Sequence, residues 1–539
     1  MLSHRSFCIG LLLLPALPAF GQTTALPHRR IAHATRTSAP VASPQVRAIV
    51  LPVDGLATDS VQTIITRDLS YGDRVRVVSD DQAHGTNAAT AIVKAVATPQ
   101  GVTVSLIDPL SGAVRQQHDF PLAIVSARND QAIADSLNQA FAARDLMRRT
   151  QLARAEGVRD SLQAEMAKKA PRLRSKKAEQ EYTAVVAQRD SMLRDALSEV
   201  ALVQGEGQRD EASRAGAQSA AIAHELVVRD SMVHARRWAI HGVSDAVEEW
   251  MTGHRGIAQS RVAYVSQGVI RVVDFDGAND RAVTQLDKDG DKAMSPAWRR
   301  DGGAIVYSEM NDAGTQIAMV DLASGKTNVL AATKRGLNIT PIFSADDKWV
   351  IYANGNDFRT GLVAVRPDST ASLKELPVNR SFDADEPILS PDGTRIAYVS
   401  SRPKTPQIYS SNLDGTDERV EAPGPAKGGR VYHTSPDWSP DGRMIAYQQQ
   451  NGDFQVWVVN RADHSEHKLT SVGENEDPTW APDARHIALT SNRGGAKAIW
   501  VLDVQSGHLR QLTAAGDARL AAWSAPLATT SPTPLASAR

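Results

Sequence analysis

The chain has 539 residues, with 60 Lys+Arg against 61 Asp+Glu, a formal charge of −1, 42% hydrophobic residues, 5% aromatic residues and one cysteine. The even balance excludes a nucleic-acid binder driven by phosphate neutralisation, which needs a basic excess. One cysteine excludes an intramolecular disulfide and a Cys-cluster metal site, and the length suits roughly two to four domains with cores of their own.

Residues 1–21 carry His4 and Arg5, then an apolar run from Phe7 to Phe20, then Ala19-Phe20-Gly21, a small-x-small cleavage signature. That pattern predicts a secretory signal peptide and a soluble product in the periplasm, with Cys8 removed on cleavage. Residues 22–45 hold Arg29, Arg30 and Arg36 and no acid, among Ser, Thr, Ala and Pro. They read as a disordered basic linker, because such a segment cannot bury enough surface to offset its ordering entropy. No later stretch reaches the run of about 18 apolar residues that a membrane helix needs.

Residues 46–125 read as a small α/β domain. The apolar run at 46–53 is a strand, Val61, Ile64, Ile65 and Leu69 have helical spacing, and strands follow at 74–78, 91–96, 102–107 and 113–120. Asp54-Gly55 stands alone after the first strand, so no phosphate-binding loop is formed. From about residue 124 to 235 the texture changes to 17 Lys+Arg, 16 Asp+Glu and two aromatics, Phe141 and Tyr182. Val158, Leu162 and Met166, and Val186, Leu193, Leu197 and Val200, follow the helical period, which predicts a coiled-coil-like helical insert at 126–235. Pro171 and the pair Gly205 and Gly207 are expected to interrupt it. Arg159-Asp160-Ser161, Arg189-Asp190-Ser191 and Arg229-Asp230-Ser231 recur there; neighbours lie about 100° apart on a helix, so pairing with charges a turn away is expected. A helix and junction at 236–259 lead out of the insert.

Residues 260–525 repeat themselves. Pro296, Pro341, Pro387, Pro436 and Pro478 are spaced by 45, 46, 49 and 42 residues, each followed two residues on by Trp298, Phe343, Leu389, Trp438 or Trp480. A degenerate copy ends on Trp523. Four short strands per period of about 45 residues is the pattern of a propeller blade. The repeat opens on a second strand at 261–265 and ends on a first strand at 520–524, which predicts a six-bladed β-propeller closed by its own termini, with the aromatic residues as wedges between blades. Residues 526–539 read as a disordered tail.

The fold class is therefore multidomain: a six-bladed β-propeller preceded by a small α/β domain and a long helical insert. An enzyme reading finds no support. Gly242-Val243-Ser244-Asp245-Ala246 lacks the closing glycine of a nucleophile elbow, and no His-Glu-x-x-His is present. No catalytic, cofactor or metal residues are assigned. The links into the first strands are acidic: Asp287, Asp289 and Asp291; Asp383, Asp385 and Glu386; Glu474, Glu476 and Asp477; and Asp517. Lys334, Arg335, Arg430 and His433 interrupt them from two other blades. Those acids and His433 are the candidate partner-binding residues, a ring suited to a basic protein surface or a cation. The alternative is that Asp and Glu simply populate turns.

Ser435 to Tyr447 (SPDWSPDGRMIAY) and 477–489 resemble the propeller repeat of the TolB family, 238–264 resembles that family's junction helix and first propeller strand, and 49–53 and 91–120 its N-terminal domain. The resemblance implies a non-enzymatic periplasmic scaffold of the Tol-Pal envelope-integrity and cell-division system, monomeric apart from its complexes. Its propeller would bind a peptidoglycan-associated lipoprotein (Pal-like) of the outer membrane. Residues 22–45 do not resemble the family's binding segment for the inner-membrane protein TolA, and the 126–235 insert is foreign to the family plan, so a TolA-like partner is implied far less strongly. The other readings are an adaptor or sensor in another envelope complex and a secreted propeller enzyme or carbohydrate-binding module.

Overall fold

The computed structural model describes residues 46–527 apart from 55–59, 80–87, 123–129, 173, 287–289, 313, 334–335, 356–358, 379–382, 424–430 and 515. The leader, the basic linker and residues 528–539 lie outside the described residues. None of the described helices is long and apolar enough to cross a membrane.

The α/β domain is one five-stranded sheet. Strands β1 (Val46–Val50), β2 (Val75–Val77), β3 (Ala91–Thr98), β4 (Gly101–Ile107) and β5 (Val114–Pro121) lie in the order β2-β1-β3-β4-β5. β1 pairs parallel with β2 and β3, and β3-β4-β5 form an antiparallel meander. The crossover from β1 to β2 is helix α1 (Ser60–Tyr71), whose Val61, Ile64, Ile65 and Leu69 are buried against the sheet at three- and four-residue spacing. The same core takes Ile240, Val243 and Val247 from a much later helix, so the domain is completed by chain beyond the insert.

The insert is two helices, α2 (Asp130–Met166) and α3 (Lys176–Thr252). Pro171 falls in the turn between them, and Ser175 caps α3 by accepting the Ala178 amide at 3.2 Å. Gly253, in the left-handed region at φ 76°, ends it. At 77 residues α3 is about 115 Å long. The expected break at Gly205 and Gly207 does not occur. A helical glycine costs about 1 kcal/mol relative to alanine, too little to break a helix braced by its neighbour. The bare backbone at Gly207 is where the Arg148 side chain of α2 lies, on its way to Asp210 at 3.2 Å. Ala196, Val200 and Val203 are buried along the seam between the helices, with half-buried Tyr182, Val186 and Leu193 continuing the three–four spacing. The Arg-Asp-Ser motifs divide: Asp230 meets His234 one turn on at 3.5 Å, as expected, whereas Arg159 folds back onto its neighbour Asp160 (Nε to Oδ1, 2.8 Å), because the long arginine stem spans the 100° offset. Arg189 crosses to Glu165 of α2 at 3.3 Å.

The propeller has six four-stranded blades. Blade one closes the ring: Arg519–Trp523 pairs antiparallel with Arg261–Ser266, and the sheet continues through Val269–Asp274 and Arg281–Ala282. The first strands of blades two to six are Lys292–Trp298, Leu337–Phe343, Asp385–Leu389, Tyr432–Trp438 and Asn475–Trp480. Buried tyrosines 264, 307, 352, 398 and 447 occupy one register position of successive second strands, with Leu489 in blade six. The aromatic residues wedge as expected: Trp298 packs with Ala263 and Val265, Trp438 with Ala397 and Ile408, Trp480 with Ala446 and Val458, and Trp523 with Ala488 and Ile499. Each contact reaches the preceding blade.

Candidate functional site

A β-bulge recurs in every first strand. Ser295, Thr340, Glu386, Ser435, Asp477 and Leu520 all have φ between 47° and 54°, and the register of strand pairing shifts at each. A non-glycine residue in that region stores strain, more so before proline, and needs a compensating contact. The compensation comes from the neighbouring blade. The Thr340 amide donates to Ser308 Oγ at 3.0 Å, the Ser435 amide to Glu386 Oε2 at 2.5 Å, the Asp477 amide to Gln448 Oε1 at 2.8 Å, and the Leu520 amide to Asp477 Oδ2 at 3.3 Å. Asp437 adds a further link, accepting the Trp480 amide at 2.6 Å.

This geometry divides the predicted acidic residues. Glu386 and Asp477 are half-buried staples between blades; burial pushes their carboxyl groups up to about 7 and about 6. Asp385 beside them is raised well above the carboxylate range by burial, with Glu386 and Asp383 adding repulsion, and its Oδ1 has no hydrogen-bond partner. Asp383 accepts the Thr360 amide at 3.2 Å and Asp291 is buried. Glu474 is half-buried, Glu476 pairs with Lys497 at 2.5 Å, and Asp517, 48% exposed, sits 3.6 Å from Arg519. Asp287, Asp289, Lys334, Arg335 and Arg430 lie outside the described residues. His433 does not join a partner-facing ring: it is 0% exposed, its Nδ1 lies 3.1 Å from the Ala422 carbonyl, and its ring rests on Tyr447. The reason is that it occupies an inward position of the Tyr432–Trp438 strand.

The links into first strands share one face with the turns from second to third strands; the turns from first to second and third to fourth strands share the other. The α/β domain and the end of α3 sit on the second face. Arg74 reaches Asp483, in the first turn of blade six, at 3.1 Å and Glu248 of α3 at 3.3 Å. Asp73 meets His486 Nε2 at 3.3 Å and His508 Nδ1 at 2.9 Å. Arg67 and Arg237 both pair with Asp276 in a turn of blade one, beside His241, which is bonded to Asp68 at 2.7 Å. Arg510 is sandwiched between Tyr71 of α1 and Phe275 of the propeller, at 4.4 and 4.5 Å. Two of these groups, Asp68–His241–Asp276 and Asp73–His486–Asp503, bring ligand-type atoms together. They already carry guanidinium counter-ions, Arg67 and Arg237 on Asp276 and Arg485 on Asp503, so they act as ion-paired docking contacts. Among the described residues, these ion pairs and ring contacts between the α/β domain and the propeller all fall on that second face.

Residues 248–527, more than half of the chain, match the family described as the TolB beta propeller domain. The chain belongs to the TolB propeller family. A Tol-Pal system protein TolB of Francisella tularensis (strain SCHU S4) is 27% identical over 286 residues, which cover 50% of this chain and 63% of that protein. A second, from Actinobacillus succinogenes, is 39% identical over 101 residues, 18% of this chain and 23% of that one. The crystal structure of TolB from Acinetobacter baumannii superposes with a TM-score of 0.59 at 17% identity, covering 90% of this chain and 98% of that one; the likeness is one of fold. The propeller is thus TolB-like in sequence and form.

Proposed function

We propose that this TolB-like chain is an exported, non-enzymatic scaffold of the Tol-Pal type whose propeller docks a Pal-like lipoprotein of the outer membrane on the face opposite the α/β domain. The observation that carries the reading is the division of faces: one is taken up by the ion-paired junction, while the other carries half-buried Glu474 and the exposed Asp517 beside the Glu476–Lys497 pair. The curated relatives named as Tol-Pal system proteins support the setting. The non-enzymatic reading is supported by the interblade carboxylates, since Glu386, Asp437 and Asp477 are each engaged by a backbone amide of the next blade. Calorimetric titration of the full chain with the soluble domain of a Pal-like lipoprotein tests it; binding that weakens as salt rises is expected, and absence of binding at any salt refutes it. A second reading, an adaptor in another envelope complex, is favoured by the long α2–α3 arm, which gives the chain a reach that the propeller alone lacks.

A further inference from the structure

We propose that the tip of the α2–α3 arm is a docking surface for an anionic lipid leaflet. Residues 168–177 read KKAPRLRSKK: Lys168, Lys169, Arg172, Arg174, Lys176 and Lys177 place six cations within ten residues, with no acid among them. All six are exposed. Lys168 pairs with Glu165, and Lys177 lies at 4.0 Å from Glu181. Among the described residues, no acid is paired with Lys169, Arg172, Arg174 or Lys176.

The fold gains nothing from this density. Lys176 and Lys177 stand in the first turn of α3, where the positive end of the helix dipole repels them and only Glu179 offsets it. A helix hairpin needs a turn and a cap, which Pro171 and Ser175 already supply. Charge kept where it costs stability points to a ligand outside the chain.

Three features select a lipid surface. The cations sit at the end of a two-helix arm, about 80 Å along α3 from Asp230, where the helix reaches the electrostatic range of Arg281 on the propeller. The cations are gathered at one end of the hairpin rather than drawn out along a stripe, which suits a plane met end-on better than the track of a polynucleotide backbone. Residues 168–177 contain no aromatic side chain on which a base would stack. Clusters of four to eight Lys and Arg are the pattern that binds phosphate-rich leaflets, each cation adding to the attraction within a Debye length. Contact would be peripheral and reversible by salt. The setting rests on the exported-scaffold reading above; the chemistry of the tip does not.

The test is co-sedimentation of the full chain with vesicles of phosphatidylcholine alone and of phosphatidylcholine with about one-third phosphatidylglycerol. Binding is expected only to the second, falling as salt is raised. Lys168→Gln, Lys169→Gln, Arg172→Gln, Arg174→Gln, Lys176→Gln and Lys177→Gln together should lower the partition coefficient about tenfold or more, with an unchanged thermal transition. The same replacement of the exposed propeller cations Lys348, Lys374 and Arg443 should leave it unchanged. Equal binding to neutral vesicles, undiminished binding by the tip variant, or preference for an oligonucleotide competitor over the anionic vesicles would overturn the proposal. The vesicles hold no protein, so failure here leaves lipoprotein docking untouched, and failure of lipoprotein docking leaves a positive vesicle result standing.

Discussion

Replacing Asp483 by Asn probes how the α/β domain is held on the propeller. Asp483 Oδ2 lies 2.8 Å from His486 Nδ1 and 3.1 Å from Arg74, and all three side chains are largely buried. Burial works against the His486 cation but is outweighed by Asp483 and then Asp73, so its pKa rises from 6.5 to about 9. A group raised in the folded state contributes fully below its unfolded pKa and loses that contribution as pH rises through the folded value. His486 therefore adds about 3 kcal/mol near pH 6, lost between about pH 6.5 and 9. His241 is raised too: burial opposes its cation, and Asp68 and Asp276 outweigh it. Asp245 and Glu248, pushed up to about 7 by burial, also release protons as pH rises, in a window centred near pH 7 that overlaps the lower part of the His486 range. Asp503 and Asp483 are held below the usual carboxylate range: burial opposes this, but hydrogen bonds to Arg485 and the His486 charge prevail, so both act only in acid. Asp483→Asn should cost about 2–4 kcal/mol near pH 6, because it leaves His486 and Arg74 buried with one anion fewer each. Near pH 9 the cost should shrink to about 1 kcal/mol, since His486 is then losing its charge in the wild type as well. Urea unfolding followed by tryptophan fluorescence at both pH values measures the difference. An equal loss at both would refute the charged His486–Asp483 pair.

Other consequences follow from the bulges, the seam and the ring closure. Glu386→Gln keeps an acceptor for the Ser435 amide and removes a carboxyl raised from 4.5 to about 7 by burial, so it should stabilise the propeller by up to about 3 kcal/mol above pH 7 and by little near pH 5; no gain at alkaline pH in urea titration contradicts the assignment. Trp523→Ala empties the wedge between blades one and six and removes the bond from its indole to Ser260 Oγ at 2.8 Å, with an expected loss of about 3–5 kcal/mol in the propeller transition. Gly205→Ala meets nothing within 4 Å and should stabilise the arm by about 1 kcal/mol, whereas Gly207→Ala presses on Arg148 at 3.3 Å and should gain less; melting followed by circular dichroism separates the two.

The propeller was legible in the sequence because each blade is built from neighbours in the chain, so its period appears as spaced prolines and aromatic residues. The staples were not, since the roles of Glu386 and Asp477 depend on a strained amide in the next blade, 49 and 43 residues away. The junction was hidden more deeply: Asp68 and His241 are 173 residues apart, and Asp73 and His486 are 413 apart. The glycine pair in α3 misled because propensity is a weak preference beside a long packed seam. The basic tip was in plain view, and averaging charge over the whole insert concealed it. The ring of acidic links, read as one feature, separates into staples between blades and a smaller set, Glu474 and Asp517, that bridges no blades.

That smaller set decides the account. Glu474→Lys and Asp517→Lys change exposed or half-buried acids on the face opposite the α/β domain and leave every blade staple in place. In calorimetric titration against the soluble domain of a Pal-like lipoprotein, the double variant should bind at least about tenfold more weakly than the wild type and with a shallower dependence on salt. Unchanged affinity and an unchanged salt slope would contradict a partner docked on the acidic face of the propeller.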